Sequence, residues 1–181
     1  PEDAKAYLMN TLFGEDVPEE MIDIYLEKAP EMLKYLHDRT DVRYESLAEY
    51  PDYYTNMEGA REGHRSLEPA PIMASELGAN WKNMTWTHFM MRMCNRIHLT
   101  LVEAHLLMVQ LPGWKKLLAR LMWDYIRDIP WRLKTPISRR LACGSAGVAR
   151  LYLSVLKREI PLEFNTQMVE LIADGDTVLG A

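Results

Sequence analysis

The chain has 181 residues, enough for one hydrophobic core and at most two small domains. Its composition, 48% hydrophobic and 26% charged, excludes a disordered chain, and a net charge of -5 argues against a dedicated nucleic-acid binder. Cys94 and Cys143 form no C-x-x-C pair and read as free thiols of a cytoplasmic protein, while the longest apolar run, Leu99–Leu111, is broken by Glu103, His105 and Gln110 and cannot span a membrane.

Ala4, Tyr7, Leu8 and Leu12 recur at helical spacing, and Gly14 ends that run. Pro18, Glu19 and Glu20 then make a helix first turn, because proline needs no donor there and acids suit the dipole. Pro30 interrupts this second pattern, and a separate helical run follows through Met32, Leu33, Tyr35 and Leu36. Val42–Leu47 alternates as a short strand. Glu49–Gly78 is rich in Gly and Pro and cannot be a regular helix; an irregular stretch of that length inside a compact domain is usually functional.

Residues 82–110 are expected to be helical, with Met84, His88, Met91, Asn95, His98 and Val102 tracing one stripe. Pro112-Gly113 ends it, and Trp114–Arg127 is a second amphipathic helix. Ile129–Ser138 reads as a loop. Small residues from Ala142 to Gly147 lead into a helix over Val148–Lys157, and Pro161–Ile172 and Thr177–Gly180 are strand-like, joined by a turn at Asp174-Gly175-Asp176.

Charge is unevenly placed along these elements. Residues 1–68 are strongly acidic and residues 115–158 strongly basic. That suits either two complementary faces of one fold or a basic surface that meets an anionic cofactor, lipid or partner domain.

Several clusters could carry chemistry. The hydroxyls of Tyr50-Pro51-Asp52-Tyr53-Tyr54 can donate a proton or hydrogen bond to a substrate carbonyl, or the segment is a turn with packing tyrosines. Arg65, in Gly63-His64-Arg65-Ser66, could hold an anion bidentately or close a local ion pair. Gly144-Ser145-Ala146-Gly147 permits close approach of an anion or flat ring to a helix start, or simply close helix packing. The five histidines show no metal-ligand spacing, so no metal is expected. All five tryptophans and half of the methionines fall in 81–131, suiting a helical core, an oligomer contact or an apolar surface that guides a greasy substrate.

Taken in order, Pro51-Asp52-Tyr53-Tyr54, Gly59, Gly63-x-Arg65-Ser66-Leu67-Glu68-Pro69 and Leu77-Gly78 resemble the signature of 3-ketosteroid Δ1-dehydrogenases and their fumarate-reductase-like relatives. Gly144–Leu153 resembles that family's glycine-rich helix start, and Ile160–Ala181 its strand pair. Residues 82–137 find no clear match. Thr55 stands where relatives often carry proline, and Gly147 where a larger apolar residue is common.

The resemblance implies an internal piece of an FAD-dependent enzyme, without the N-terminal Rossmann-like FAD-binding segment and the base tyrosine that lies beyond. In that family a hydride passes to the flavin N5 as a proton leaves the neighbouring carbon. By motif match Tyr53 is the catalytic residue that assists the base tyrosine, with Tyr54 and Arg65 near the substrate. The acid arginine of fumarate reductases also lies beyond, so Arg65 is not that residue. Gly144, Ser145 and Met168 are the cofactor-binding candidates.

The expected fold is α+β, predominantly α-helical. Residues 1–137 form a mainly helical substrate-side region carrying the irregular 49–78 segment, and 138–181 form a helix and β-hairpin of the FAD domain. The expected reaction is dehydrogenation or reduction of a carbon–carbon bond next to a carbonyl. FAD is expected in the full-length protein but not in this segment, which alone is expected to be inactive. Expected partners are the rest of its own chain, a hydrophobic small-molecule substrate and a second copy through the Met/Trp-rich helices. Membrane contact is not expected; the Trp/Met face and the basic 115–140 stretch would be its place. The alternatives are a non-enzymatic helical interaction module with 81–131 as partner surface, or a fumarate-reductase-like enzyme acting on a small dicarboxylate.

Overall fold

Helical periodicity at the start of the chain produces two packed helices in the computed structural model, which describes residues 2–180. Helix α1 (Glu2–Asn10) has acids in its first turn and buries Tyr7. Helix α2 (Glu19–Arg39) starts after Pro18 and buries Ile22. Lys5 of α1 reaches Glu19 and Asp23 of α2, each at 2.7 Å. Pro30 does not divide α2, contrary to the sequence expectation: one helix runs through it. Pro30 is exposed, so the carbonyl that loses its helical donor can be hydrated instead.

Beyond α2, the ring Nε2 of His37 accepts the Tyr44 N–H at 2.9 Å and turns the chain into strand β1 (Tyr44–Ser46). Strand β2 (Leu67–Pro69) pairs antiparallel with β1, Tyr44 opposite Pro69. The irregular segment is therefore a closed loop of residues 47–66, and its expected continuation to Gly78 is ordered. There, β3 (Ile72–Met73) pairs with β6 (Arg140–Leu141), and Ala74–Asn83 forms 3-10 turns broken at Gly78 (φ 59°).

The single helix expected over 82–110 does not form. A short hairpin, β4 (Arg92–Met93) with β5 (Ile97–His98), turns through Cys94 and Asn95 at φ 52° and 58°, and only Leu101–Met108 is helical, as α3. The reason lies in Thr100 and Glu103. The Thr100 hydroxyl accepts the Glu103 N–H and the Glu103 carboxylate accepts the Thr100 N–H, both at 3.1 Å, a reciprocal cap that fixes the helix start. Helix α4 (Trp114–Arg127) follows as expected, and one further turn, α5 (Ile129–Arg132), buries Trp131 where a loop was expected. Helix α6 (Cys143–Lys157) starts earlier than the sequence suggests, so Gly144, Ser145 and Gly147 lie inside it. Strands β7 (Ile172–Asp174) and β8 (Thr177–Gly180) form the expected hairpin, but residues 161–171 have no ladder partner among those described.

The fold is thus α+β and mainly helical, with four separate two-stranded antiparallel ladders among the described residues. Its core lies where the small residues Ala146 and Ala149 of α6 let Ile72, Leu77, Leu141 and Trp131 approach. Trp81 stacks obliquely on Trp131 (4.9 Å between ring centroids) and meets Trp86 at 6.1 Å. No helix of the described residues is long and apolar enough to cross a membrane.

Polar groups tie the layers together. The Arg150 guanidinium donates to three backbone carbonyls: Ala70 (2.7 Å), Pro71 (2.8 Å) and Asp41 (3.1 Å). Glu68, 5% exposed, accepts the Leu101 N–H on both carboxylate oxygens (2.9 and 3.1 Å) and the Cys143 thiol at 3.2 Å. Burial, with that carboxylate beside it, pushes the Cys143 thiol up to about 12. Glu103 bridges Arg120 (3.1 Å) and Arg140 (2.8 Å).

Two outcomes follow. Arg150→Met removes the charged donor shared by three part-buried carbonyls, and it should lower stability by about 2–4 kcal/mol in urea unfolding. His98 is 1% exposed, and burial first, then the neighbouring Arg92 guanidinium, pushes its pKa down from 6.5 to about 4. The unfolded chain takes up a proton below pH 6.5 that the folded chain refuses. Stability should therefore fall as pH drops from 6.5 to about 4, by up to roughly 3 kcal/mol, and be flat below that for this group. His98→Gln should remove this part of the slope when the unfolding curves of both proteins are compared across that range.

Candidate functional site

The loop between β1 and β2 carries the tyrosines, and its shape is imposed by one arginine. Arg65 donates to Asp52 Oδ2 at 2.5 Å and to the Gly59 carbonyl at 2.8 Å, and its guanidinium lies over the Tyr7 ring of α1, 5.1 Å from the centroid. Asp52 has a side chain only 8% exposed and also accepts the Arg61 N–H at 2.9 Å, while its own N–H donates to the Arg61 carbonyl at 2.9 Å. Two glycines let the loop close. Gly59 has φ 78°, and a β-carbon there would collide with the Asp3 carbonyl; at Gly63 one would collide with the Ala48 carbonyl.

Held this way, the loop points Tyr53 outward, with 85% of its surface exposed. The Tyr50 hydroxyl lies 3.5 Å from the Tyr53 hydroxyl, their rings meeting edge to face at 6.4 Å. The Tyr53 hydroxyl beside it holds the Tyr50 pKa above the ordinary tyrosine value. Tyr54 turns back instead: its N–H donates to the Tyr7 hydroxyl at 3.2 Å, and its ring packs edge-on against Phe13 at 5.1 Å. A small apolar cleft of about 50 Å3 between Leu47–Tyr50 and the Leu101–Leu106 face of α3 is lined by Tyr50 but not by Tyr53. Arg65 uses its fork within the loop, which is the local ion pair of the two sequence alternatives.

The second group of candidates lies at the start of α6 and beyond. Gly144 is exposed, a β-carbon there would touch nothing, and the Ala142 side chain leaves the first turn uncapped. That open backbone fits a flat or anionic part of FAD in close approach. Ser145 faces inward, 5% exposed: its oxygen accepts the Thr87 N–H at 3.0 Å and shares a hydrogen bond with the Thr87 hydroxyl. Gly147 packs on the Pro69 ring, where a β-carbon would sit 3.2 Å from Cγ. Met168 is 63% exposed on the extended segment before β7. No hydrogen bond among the described residues joins these positions to Tyr53. A separate cavity of about 610 Å3, lined by His98, Leu121, Tyr125 and Trp131 among others, holds none of the sequence candidates.

Sequence patterns gave no sign of Tyr7 and Asp52 as supports of this loop. The Tyr50–Tyr53 spacing was visible; the Asp52–Arg65 pair, separated by a whole loop, carried no local signal. No cluster of His, Cys, Asp or Glu able to hold a metal exists among the described residues.

Residues 1–181 match a family model described as an FAD binding domain. The 3-oxosteroid 1-dehydrogenase of Comamonas testosteroni is 30% identical over 152 residues, covering 83% of this chain and 26% of that protein. The enzyme of the same name from Mycobacterium tuberculosis (strain ATCC 25618 / H37Rv) is 29% identical over 190 residues, 99% of this chain and 31% of that protein. The chain thus spans about a third or less of the curated relatives it matches. The crystal structure of 3-ketosteroid Δ1-dehydrogenase from Sterolibacterium denitrificans, in complex with 1,4-androstadiene-3,17-dione, superposes with a TM-score of 0.89 at 32% identity, over 98% of this chain and 32% of that one. Because the match runs along all 181 residues of the chain, the chain belongs to the FAD binding domain family.

Proposed function

We propose that this chain is the substrate-side part of an FAD-dependent 3-ketosteroid dehydrogenase that introduces a double bond next to a ring ketone. The observation that carries this reading is the close likeness, in fold and sequence and along nearly the whole chain, to an enzyme crystallised with a steroid dienedione. Residues 1–137 supply the substrate side, and 138–181 belong to the FAD domain. Gly144 would meet the cofactor through its open backbone, and the segment around Met168 through its exposed main chain. The bound flavin supplies the hydride acceptor.

Tyr53 supplies a hydroxyl at the mouth of the site. It assists a base that lies outside this chain, relaying the proton that leaves the carbon next to the ketone. Tyr50 stands beside it. Its hydroxyl, 3.5 Å away, can donate toward the Tyr53 oxygen and stabilise negative charge that develops there. Arg65 is occupied by Asp52 and Gly59 and shapes the loop rather than holding a substrate anion.

Tyr53→Phe in the full-length protein tests the assignment. Turnover of a 3-keto steroid should fall by about 100-fold with flavin content unchanged, the usual value of a positioned proton-transfer group. Turnover retained within about threefold would show that the hydroxyl has no part in the chemistry.

A further inference from the structure

The tyrosine motif is held by a residue that lies outside it, on α1. A β-carbon at Gly59 would collide with the Asp3 carbonyl and crowd the Tyr7 N–H, so the loop lies directly on the α1 backbone. Arg61 of the loop reaches Asp3 at 2.6 Å. Tyr7 is the buried side chain of α1 and meets the loop with both of its parts. Its ring lies under the Arg65 guanidinium, 5.1 Å from the centroid, and Arg65 is the group that clamps Asp52. Its hydroxyl oxygen accepts the Tyr54 N–H at 3.2 Å.

That N–H belongs to the peptide unit that joins Tyr53 to Tyr54. Peptide units are planar, so the direction of Tyr53 is set by the two soft torsions between the unit before it and the unit after it. On the near side Asp52 is fixed: its N–H meets the Arg61 carbonyl, and its carboxylate takes the Arg61 N–H and the Arg65 guanidinium. On the far side the Tyr7 hydroxyl is the acceptor for the Tyr54 N–H, which has no other among the described residues. Tyr7 therefore touches both holds, the far one through its hydroxyl and the near one through its ring.

We propose that Tyr7 is a positioning residue for Tyr53, acting through the Tyr53–Tyr54 peptide unit. Buried beneath the loop, it meets no substrate and moves no proton. Its hydroxyl fixes the direction in which the exposed Tyr53 hydroxyl is offered, and its ring steadies the arginine that holds the preceding residue. The inference rests on the reading that Tyr53 takes part in the chemistry. It differs from a plain packing role, in which Tyr7 only keeps α1 against the loop and its hydroxyl has no effect on turnover.

Tyr7→Phe removes the hydroxyl and keeps the ring. The test compares the unmodified full-length protein, Tyr7→Phe, Tyr53→Phe and the double variant on a 3-keto steroid, with flavin content and the urea midpoint measured for each. Tyr7→Phe should lower kcat about tenfold, with KM within about twofold and flavin content unchanged. In the Tyr53→Phe background the same change should cost less than about twofold, because the hydroxyl that it positions is gone. A kcat within about twofold of the unmodified protein in Tyr7→Phe overturns the proposal, whether or not the urea midpoint falls. Losses of equal size in both backgrounds overturn it too and mark Tyr7 as a packing residue. Turnover retained by Tyr53→Phe alone removes the underlying reading and this inference with it, whereas loss in Tyr53→Phe with none in Tyr7→Phe removes the inference alone.

Discussion

The buried carboxylate of Glu68 is the point on which the described structure turns. It sits on β2, the strand that ends the tyrosine loop, and accepts the first N–H of α3 and the thiol at the start of α6. Three elements far apart in sequence meet at one side chain. A carboxylate with so little water around it is tolerable only with such donors, so its burial and the placing of α3 and α6 are one condition. Arg150, two turns along α6, complements it by holding the carbonyls on either side of the β2–β3 junction. Between them, the return strand of the loop is fixed to a rigid helix, and Tyr53 is presented from a firm base.

Within the loop the same logic operates on a smaller scale. Asp52 precedes Tyr53, and its carboxylate is clamped by Arg65 from the other end of the loop. The backbone beside Tyr53 is therefore constrained although its ring is exposed and meets Tyr50 edge to face. That combination suits a group that must meet a substrate arriving from elsewhere. It also separates the roles within the motif: Asp52 and Arg65 shape the loop, Tyr53 faces outward and Tyr54 turns back onto Phe13.

The sequence makes some of this legible and hides the rest for physical reasons. Trp114–Arg127 is legible because an amphipathic repeat follows a Pro-Gly break. The tyrosine motif is legible as an ordered family signature, although its spacing alone leaves Tyr53 as easily a packing residue. The stripe from Met84 to Val102 misleads, because its residues have helical spacing but fall on several short elements. The stronger local signal was Thr100 with Glu103 three residues on, a helix start that overrides the stripe. Small residues at 144–147 likewise serve two ends: Gly144 stays open, while Ser145 and Gly147 are used by packing against Thr87 and Pro69. Contacts such as Asp52 with Arg65, or Glu68 with Cys143, span long separations and leave no periodic trace.

On the proposal that Tyr53 works beside the flavin, the Asp52–Arg65 clamp is what positions it. A double-mutant cycle, Asp52→Asn and Arg65→Met, read on kcat/KM for a 3-keto steroid in the full-length protein, tests it most directly. Each single variant should lose about tenfold or more, the double variant should be no worse than the poorer single one, and flavin content should stay normal throughout. Losses that simply multiply, or a kcat/KM unchanged in either single variant, would contradict it.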